Sequence, residues 1–161
     1  TDFYDNNNKF NLSKLVEHYK SYVKRRGFKA FMETDENGNY KSIKESALIY
    51  SFETFITAIV DELSGKIYRE ADTGLGKSDM IINIDNQEYL IETKIYSGAK
   101  RFETGKQQLA YYAESLQLAK AVYLVFMPKR ARKPKTVKEQ TEKISNIEIS
   151  TFLIAYDITK W

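Results

Sequence analysis

Asp79, followed further along by Glu92-Thr93-Lys94, is the set of residues in this chain whose types and spacing could do chemistry. Residues two apart in a strand share a face, so Glu92 and Lys94 project together while Ile91, Thr93 and Ile95 project the other way. Asp79 opens the neighbouring strand of the same expected hairpin. Carboxylates on adjacent strands can hold Mg²⁺ or Mn²⁺, hard cations that want oxygen ligands; Mg²⁺ in particular keeps several waters. A lysine beside them can stabilise or deprotonate an attacking water, or offset charge on a phosphate. Ile81, Ile82, Ile84, Leu90, Ile91 and Ile95 supply the apolar flanks. An ordinary surface acid–lysine pair has the same spacing and is worth little. Two further features separate the readings. Gly74-x-Gly76-Lys77-x-Asp79 places small residues beside the acid, and Gln108 and Tyr112 lie at i, i+4 on the edge of a helical apolar stripe.

A second motif overlaps the first. Ala71 to Ser78 fits a loose phosphate-loop pattern ending in Gly76-Lys77-Ser78. Such a loop must open a helix, whose N-terminus adds a favourable dipole. The residues that follow, Asp79 to Asp85, are rich in β-branched side chains and end in a turn, which favours a strand. A glycine-rich hairpin connection is the reading preferred over a nucleotide-binding loop.

The elements that must position these residues follow from periodicity. Leu12, Leu15, Val16, Tyr19 and Val23 predict an amphipathic helix over 12–26, with Asn11 or Ser13 as cap and Gly27 as stop. Phe28 to Glu33 alternates like a short strand, and Asp35 to Gly38 is a turn. A long helix is expected from about Lys41 to Leu63. Strands are expected at 66–71, 79–85 and 88–96 with a turn at Asn86-Gln87, then a helix at about 103–120 and a buried strand at 121–127. Residues 129–138 form a basic loop, and 147–158 a last strand. The order predicts an α/β fold with a mixed central sheet flanked by helices.

Composition narrows the chemistry. The 161 residues suit one domain, expected to span 1–161 with a core at about 41–127, an N-terminal helical extension at about 1–40, and the basic loop and last strand at about 128–161. Cysteine is absent and His18 is the single histidine, which excludes disulfide frameworks, Cys-rich zinc sites and thiol nucleophiles. No apolar run is long enough to span a membrane, and no signal-peptide form is visible, so a cytoplasmic location is expected. The net charge of +3 permits a nucleic-acid partner without requiring one. The chain opens on Thr1, as a fragment of a longer protein would.

Taken in order, Gly74 to Asp79, Ile91-Glu92-Thr93-Lys94 and Gln108-Leu109-x-x-Tyr112 resemble the PD-(D/E)XK nuclease superfamily, most closely its RecB-like branch with a Gln-x-x-x-Tyr motif. The likeness extends to nuclease-like domains that follow AAA-ATPase-like modules in bacteria. It covers about 45–126, half of the chain. Ser78 stands where the superfamily often has Pro. The resemblance implies the restriction-endonuclease-like αβββαβ core, here with an added N-terminal helix and C-terminal strand. It makes Asp79 and Glu92 the metal-binding acids and Lys94 the catalytic lysine, with Gln108 and Tyr112 positioning substrate or water. Glu45, opening the long helix, fits the superfamily's first-helix acid better than Glu53; it equally fits a solvated acid complementing the helix dipole.

The expected function is Mg²⁺-dependent phosphodiester hydrolysis, in DNA rather than RNA, with the Thr93 carbonyl completing the metal shell and an AAA-ATPase-like domain as partner in the same longer chain. The alternatives are a catalytically inactive module of this fold that binds nucleic acid or a partner domain, and the phosphate-loop NTPase. Lys77, Lys129, Arg130, Arg132, Lys133 and Lys135 are the cations expected to grip phosphates; a solvated loop explains most of them equally well. Lys20, Lys24, Arg25 and Arg26 suit the C-terminal dipole of the first helix. Some of the 12 tyrosines could stack bases, though a half-buried place in the core is the commoner use.

Overall fold

The computed structural model describes residues 3–41, 43–69 and 77–156, with only the backbone of Lys77 and Ser78. Helix α1 (Leu12–Arg26) starts where the Asn11 side chain accepts the Lys14 N–H at 3.3 Å, so Asn11 is the cap. It ends at Gly27, whose φ of 64° only glycine adopts freely. Helix α2 (Glu45–Glu62) buries Leu48, Phe52, Ile56 and Val60, with Phe55, Ile59 and Leu63 partly buried beside them. Strands β1 (Lys66–Arg69), β2 (Lys77–Ile84) and β3 (Gln87–Ile95) follow, then α3 (Ala99–Ser115), β4 (Lys120–Pro128), β5 (Gln140–Ile144) and β6 (Ile147–Tyr156). The fold is α/β, with one mixed sheet in the order β1-β2-β3-β4-β6-β5. The β1–β2–β3 and β6–β5 pairs are antiparallel, while β3, β4 and β6 run parallel and end on the same edge.

Four expectations change. Phe28 to Glu33 is not a strand but a 3₁₀ turn, Lys29–Phe31. Its alternation reflects a single anchor, Phe28, fully buried against Phe126. The third helix begins earlier and stops at Ser115, leaving Ala119 outside it. Gln117 there takes φ 59°, and the Gln117 and Leu118 N–H groups turn back to Glu114 and Ala113, a reversal normally marked by glycine. The β2–β3 turn is Asp85-Asn86, one residue earlier than expected, with both φ values positive as a two-residue hairpin requires. Ser145-Asn146 makes the same kind of turn between β5 and β6, and β5 has no counterpart in the sequence reading.

The sheet separates two cores. On one face α1 and α2 cover Met80, Ile82, Ile84, Ile91, Ile95 and Phe126. On the other, α3 covers Leu90, Ala121, Tyr123, Val125 and Ile149.

Candidate active site

The β2–β3 hairpin places Asp79 directly opposite Glu92. Opposite residues of a ladder share a face. The same register continues across the sheet, Glu92 against Tyr123 on β4, Tyr123 against Thr151 on β6, and Thr151 against Gln140 on β5. A polar row therefore crosses five strands beneath α3, bordered by the apolar row Leu90–Ala121–Ile149. Glu92 and Thr151 are each only 2% exposed. Asp79 Oδ1 is buried and has no hydrogen-bond partner among the described residues, and neither has Thr151 Oγ1. Two facing carboxylates repel, and a buried carboxylate oxygen without a donor costs free energy. A cation between the two acids removes both penalties.

Lys94 extends this surface one strand step toward the end of β3. Its Nζ donates to the Arg101 carbonyl in the first turn of α3 at 2.9 Å. Space for it comes from Gly105. A Cβ there would lie 2.5 Å from Lys94 Nζ and 2.5 Å from the Tyr123 hydroxyl. Glycine inside a helix costs about 1 kcal/mol relative to alanine, so this position trades helix propensity for closeness of approach. Tyr123 Oη donates to the Phe102 carbonyl at 3.1 Å. Burial, then the charges of Glu92 and Glu103, push its pKa far above the ordinary tyrosine value, so it stays a donor.

Gln108 and Tyr112 occupy the flank of α3 that carries Arg101 and Gly105; at 3.6 residues per turn the four fall within about 60° of one another. Gln108 is exposed and Tyr112 half-buried. The side chain of Thr93 is fully buried on the opposite sheet face, leaving only its backbone to offer a ligand. Glu45 is not brought to this cluster. It is exposed in the first turn of α2, across the sheet from α3, and its charge acts on Tyr156 at the end of β6. Glu53 pairs with Arg69 (3.5 Å), which also donates to Thr57 (3.2 Å), on the α2 side of the sheet. The glycine-rich segment 71–76, with its phosphate-loop reading, lies outside the described residues, as do the side chains of Lys77 and Ser78.

The basic loop leaves the end of β4. Lys129, Arg130, Lys133 and Lys135 are exposed, as is Arg132, while Val137 is fully buried and anchors the loop. Because β3, β4 and β6 are parallel, this loop and Lys94 lie along one edge of the sheet.

Two site-lining residues and one buried lysine on the same helix escape the sequence reading. Gly105 and Tyr123 shape the Lys94 environment as described. Lys106, 1% exposed, bonds Glu142 at 3.0 Å and Glu103 at 3.3 Å, with its ammonium over the Phe102 ring. The signal for Lys106 was present: with Phe102, Leu109 and Ala113 it occupies the core stripe of a helix, a place where lysine needs partners.

Among the described residues, no group of three or more His, Asp or Glu side chains gathers, so the acidic cluster is a pair. Mg²⁺ suits a pair, since it is usually held by one or two carboxylates, waters and substrate phosphates. None of the described helices is long and apolar enough to cross a membrane. The structure thus defines an α/β domain with an acidic pair and a lysine on one face of a mixed sheet. The chain belongs to the family described as a domain of unknown function (DUF8371), which matches residues 9–130, from before α1 to just beyond β4. No curated protein and no solved structure matches it.

Proposed function

We propose that this protein is a metal-dependent nuclease of the PD-(D/E)XK class that hydrolyses phosphodiester bonds in DNA. The observation that carries the reading is the placement of Asp79 opposite Glu92, with Lys94 on the same face and a buried Asp79 oxygen in want of a partner. The helix, three-strand, helix, strand order of α2 to β4 agrees with the core that the motif resemblance implies. Asp79 and Glu92 would hold Mg²⁺ or Mn²⁺, which supplies Lewis-acid polarisation and charge neutralisation at a phosphate.

The chain's own groups do the rest. Lys94 presents a positive charge beside the acids, oriented by the Arg101 carbonyl, and stabilises the charge that develops on the phosphate or the water that attacks it. Gln108 and Tyr112, on the same helix flank, offer an amide and a hydroxyl to the substrate. The exposed loop cations bind neighbouring phosphates without regard to sequence. An AAA-ATPase-like domain in a longer parent chain would deliver the substrate.

The test is cleavage of circular single- and double-stranded DNA with Mg²⁺ or Mn²⁺, wild type beside Glu92→Ala and Lys94→Ala. Metal-dependent cutting lost in both variants is the expected result. Absence of cutting on DNA and RNA, together with no Mn²⁺ binding by calorimetry, would replace the nuclease by a non-catalytic binding module of the same fold.

A further inference from the structure

Strand β1 has two unlike sides. Toward α2, Ile67 packs on the apolar core and Arg69 pairs with Glu53, and these hold the strand in place. Toward α3 it carries Tyr68, which is 53% exposed. The register fixes that side. Tyr68 stands opposite Ile81 on β2, which borders the core beneath α3, whereas Met80 and Ile82 belong to the core beneath α2. Asp79 precedes Ile81 by two residues on the same strand, so the two share a face. At about 3.3 Å per residue along a strand and about 4.8 Å between strands, the Cα atoms of Tyr68 and Asp79 are roughly 8 Å apart.

The row continues from Ile81 to Leu90, which is fully buried where α3 comes down over it. Tyr112 marks that margin, partly buried like Ile81 at the edge of the same core. The open part of the row is therefore Tyr68 and Ile81, one same-face step along the sheet from the acidic pair. A single exposed apolar side chain is ordinary on a protein surface. Tyr68 differs in its place, because Ile67 and Arg69 already anchor β1 and its ring faces the side where Asp79 meets Glu92. A phosphate held at that pair leaves the flanking base of its strand within reach of the ring.

We propose that Tyr68, backed by Ile81, is a base-stacking subsite that holds an unpaired nucleobase next to the scissile phosphate. An aromatic face accepts any base, so the subsite positions the strand without reading its sequence. It also selects for strandedness. A base in a duplex has both faces covered by its neighbours and must be unstacked before it can lie on the ring, at a cost in free energy. The subsite rests on the nuclease reading for its substrate class, and adds to it a substrate-contacting residue and a requirement for an unpaired base.

The experiment titrates a short single DNA strand carrying 2-aminopurine, a base analogue whose fluorescence is quenched when it stacks, with Mn²⁺ present. All proteins carry Lys94→Ala, which keeps both acids and, on the nuclease reading, stops cleavage. Tyr68→Ala is expected to weaken binding about 5- to 100-fold and to lose the quenching, whereas Tyr68→Phe keeps both. Tyr68→Thr, which retains strand propensity without a ring, should match the alanine variant. Tyr50→Ala, an exposed tyrosine of α2 on the other side of the sheet, is the control and should change affinity less than about twofold. Thermal melts show that each variant is folded. Undiminished binding in Tyr68→Thr, a loss in Tyr68→Phe as large as in Tyr68→Ala, equal losses in Tyr68→Ala and Tyr50→Ala, tighter binding of the duplex, or no binding at all overturns the subsite. Cleavage assays with Lys94 intact keep the two questions apart. Ring-dependent binding by a protein that never cuts supports the subsite and removes the nuclease, and metal-dependent cutting with ring-independent binding does the reverse.

Discussion

The two faces of the sheet are built on opposite terms. Under α1 and α2, Leu48, Phe52, Ile56, Met80, Ile82 and Phe126 are fully buried, and Tyr19, Phe52, Phe55, Phe126 and Phe28 meet ring to ring. The buried Tyr19 hydroxyl on that side has its partner, Ser51 at 3.1 Å. Under α3 the equivalent depth holds Glu92, Lys106, Thr151 and the Tyr123 hydroxyl. Burying apolar surface stabilises by about 25 cal/mol per Å², whereas each buried polar group must recover its lost hydration. Both faces hold an apolar core, and the first is the more uniformly apolar of the two. The second keeps groups that packing alone does not call for, and these are the ones with chemistry to do.

The widest separation between the faces should come from truncation. Phe52→Ala is expected to cost about 3–5 kcal/mol, read by urea denaturation, because the surrounding rings cannot close on the cavity. Glu92→Gln should cost less than about 1 kcal/mol, since it removes the charge that faces Asp79, while abolishing cleavage. Equal losses would mean that the polar row is ordinary core.

Two lysines under the same helix sharpen the contrast. Lys106 is enclosed with Glu103 and Glu142 and ties α3 to edge strand β5. Lys106→Ala should cost about 2–3 kcal/mol through lost packing of its stem and lost charge-assisted bonds, with cleavage per folded molecule unchanged. Lys94→Ala should show the reverse, a stability change within about 1 kcal/mol and no cleavage. Thermal melts and initial cleavage rates on one preparation of each variant separate the two.

Gly105→Ala tests positioning without removing a catalytic group. The added methyl falls on Lys94 Nζ and the Tyr123 hydroxyl, so both must shift. The gain in helix propensity, about 1 kcal/mol, offsets part of the strain, and stability should move by less than that. The cleavage rate should fall about 10- to 100-fold, as a misplaced group typically costs. An unchanged rate would show that Lys94 can act from elsewhere.

What the sequence made legible tracks how local each cause is. Helices α1 and α2 followed from apolar spacing, and the Asp79–Glu92–Lys94 face followed from strand alternation, because period and face are properties of neighbouring residues. Gly27 announced the end of α1; Gln117 did not announce the end of α3, since a left-handed glutamine is a choice made by the Leu118–Ala113 closure rather than by propensity. Strand β5 was hidden because its Gln140-Thr141-Glu142-Lys143-Ile144 is an edge segment with half its side chains in water. Glu45 was placed by its apolar side of the helix, yet which sheet face a helix covers is set by the crossover through β3, α3 and β4, a non-local fact.

The smallest effect, and the most direct probe of the polar face, is expected from Tyr123→Phe. At pH 7 the loss is one buried hydrogen bond, about 0.5–1 kcal/mol, because the Phe102 carbonyl is already served by its own helix. Burial and the charges of Glu92 and Glu103 raise the folded-state pKa of Tyr123 above its unfolded value of about 10. Below pH 10 both states keep the proton and the wild type has its full stability. Above pH 10 the unfolded chain releases a proton that the folded chain retains, so wild-type stability falls by up to about 1.4 kcal/mol per pH unit from this group. Tyr19, raised mainly by burial on the other face, adds the same trend to both proteins and cancels in their difference. The gap between wild type and Tyr123→Phe should therefore close, then reverse, as urea titrations move from pH 8 to pH 11. A gap that stays constant would place the Tyr123 hydroxyl in water and detach it from Glu92.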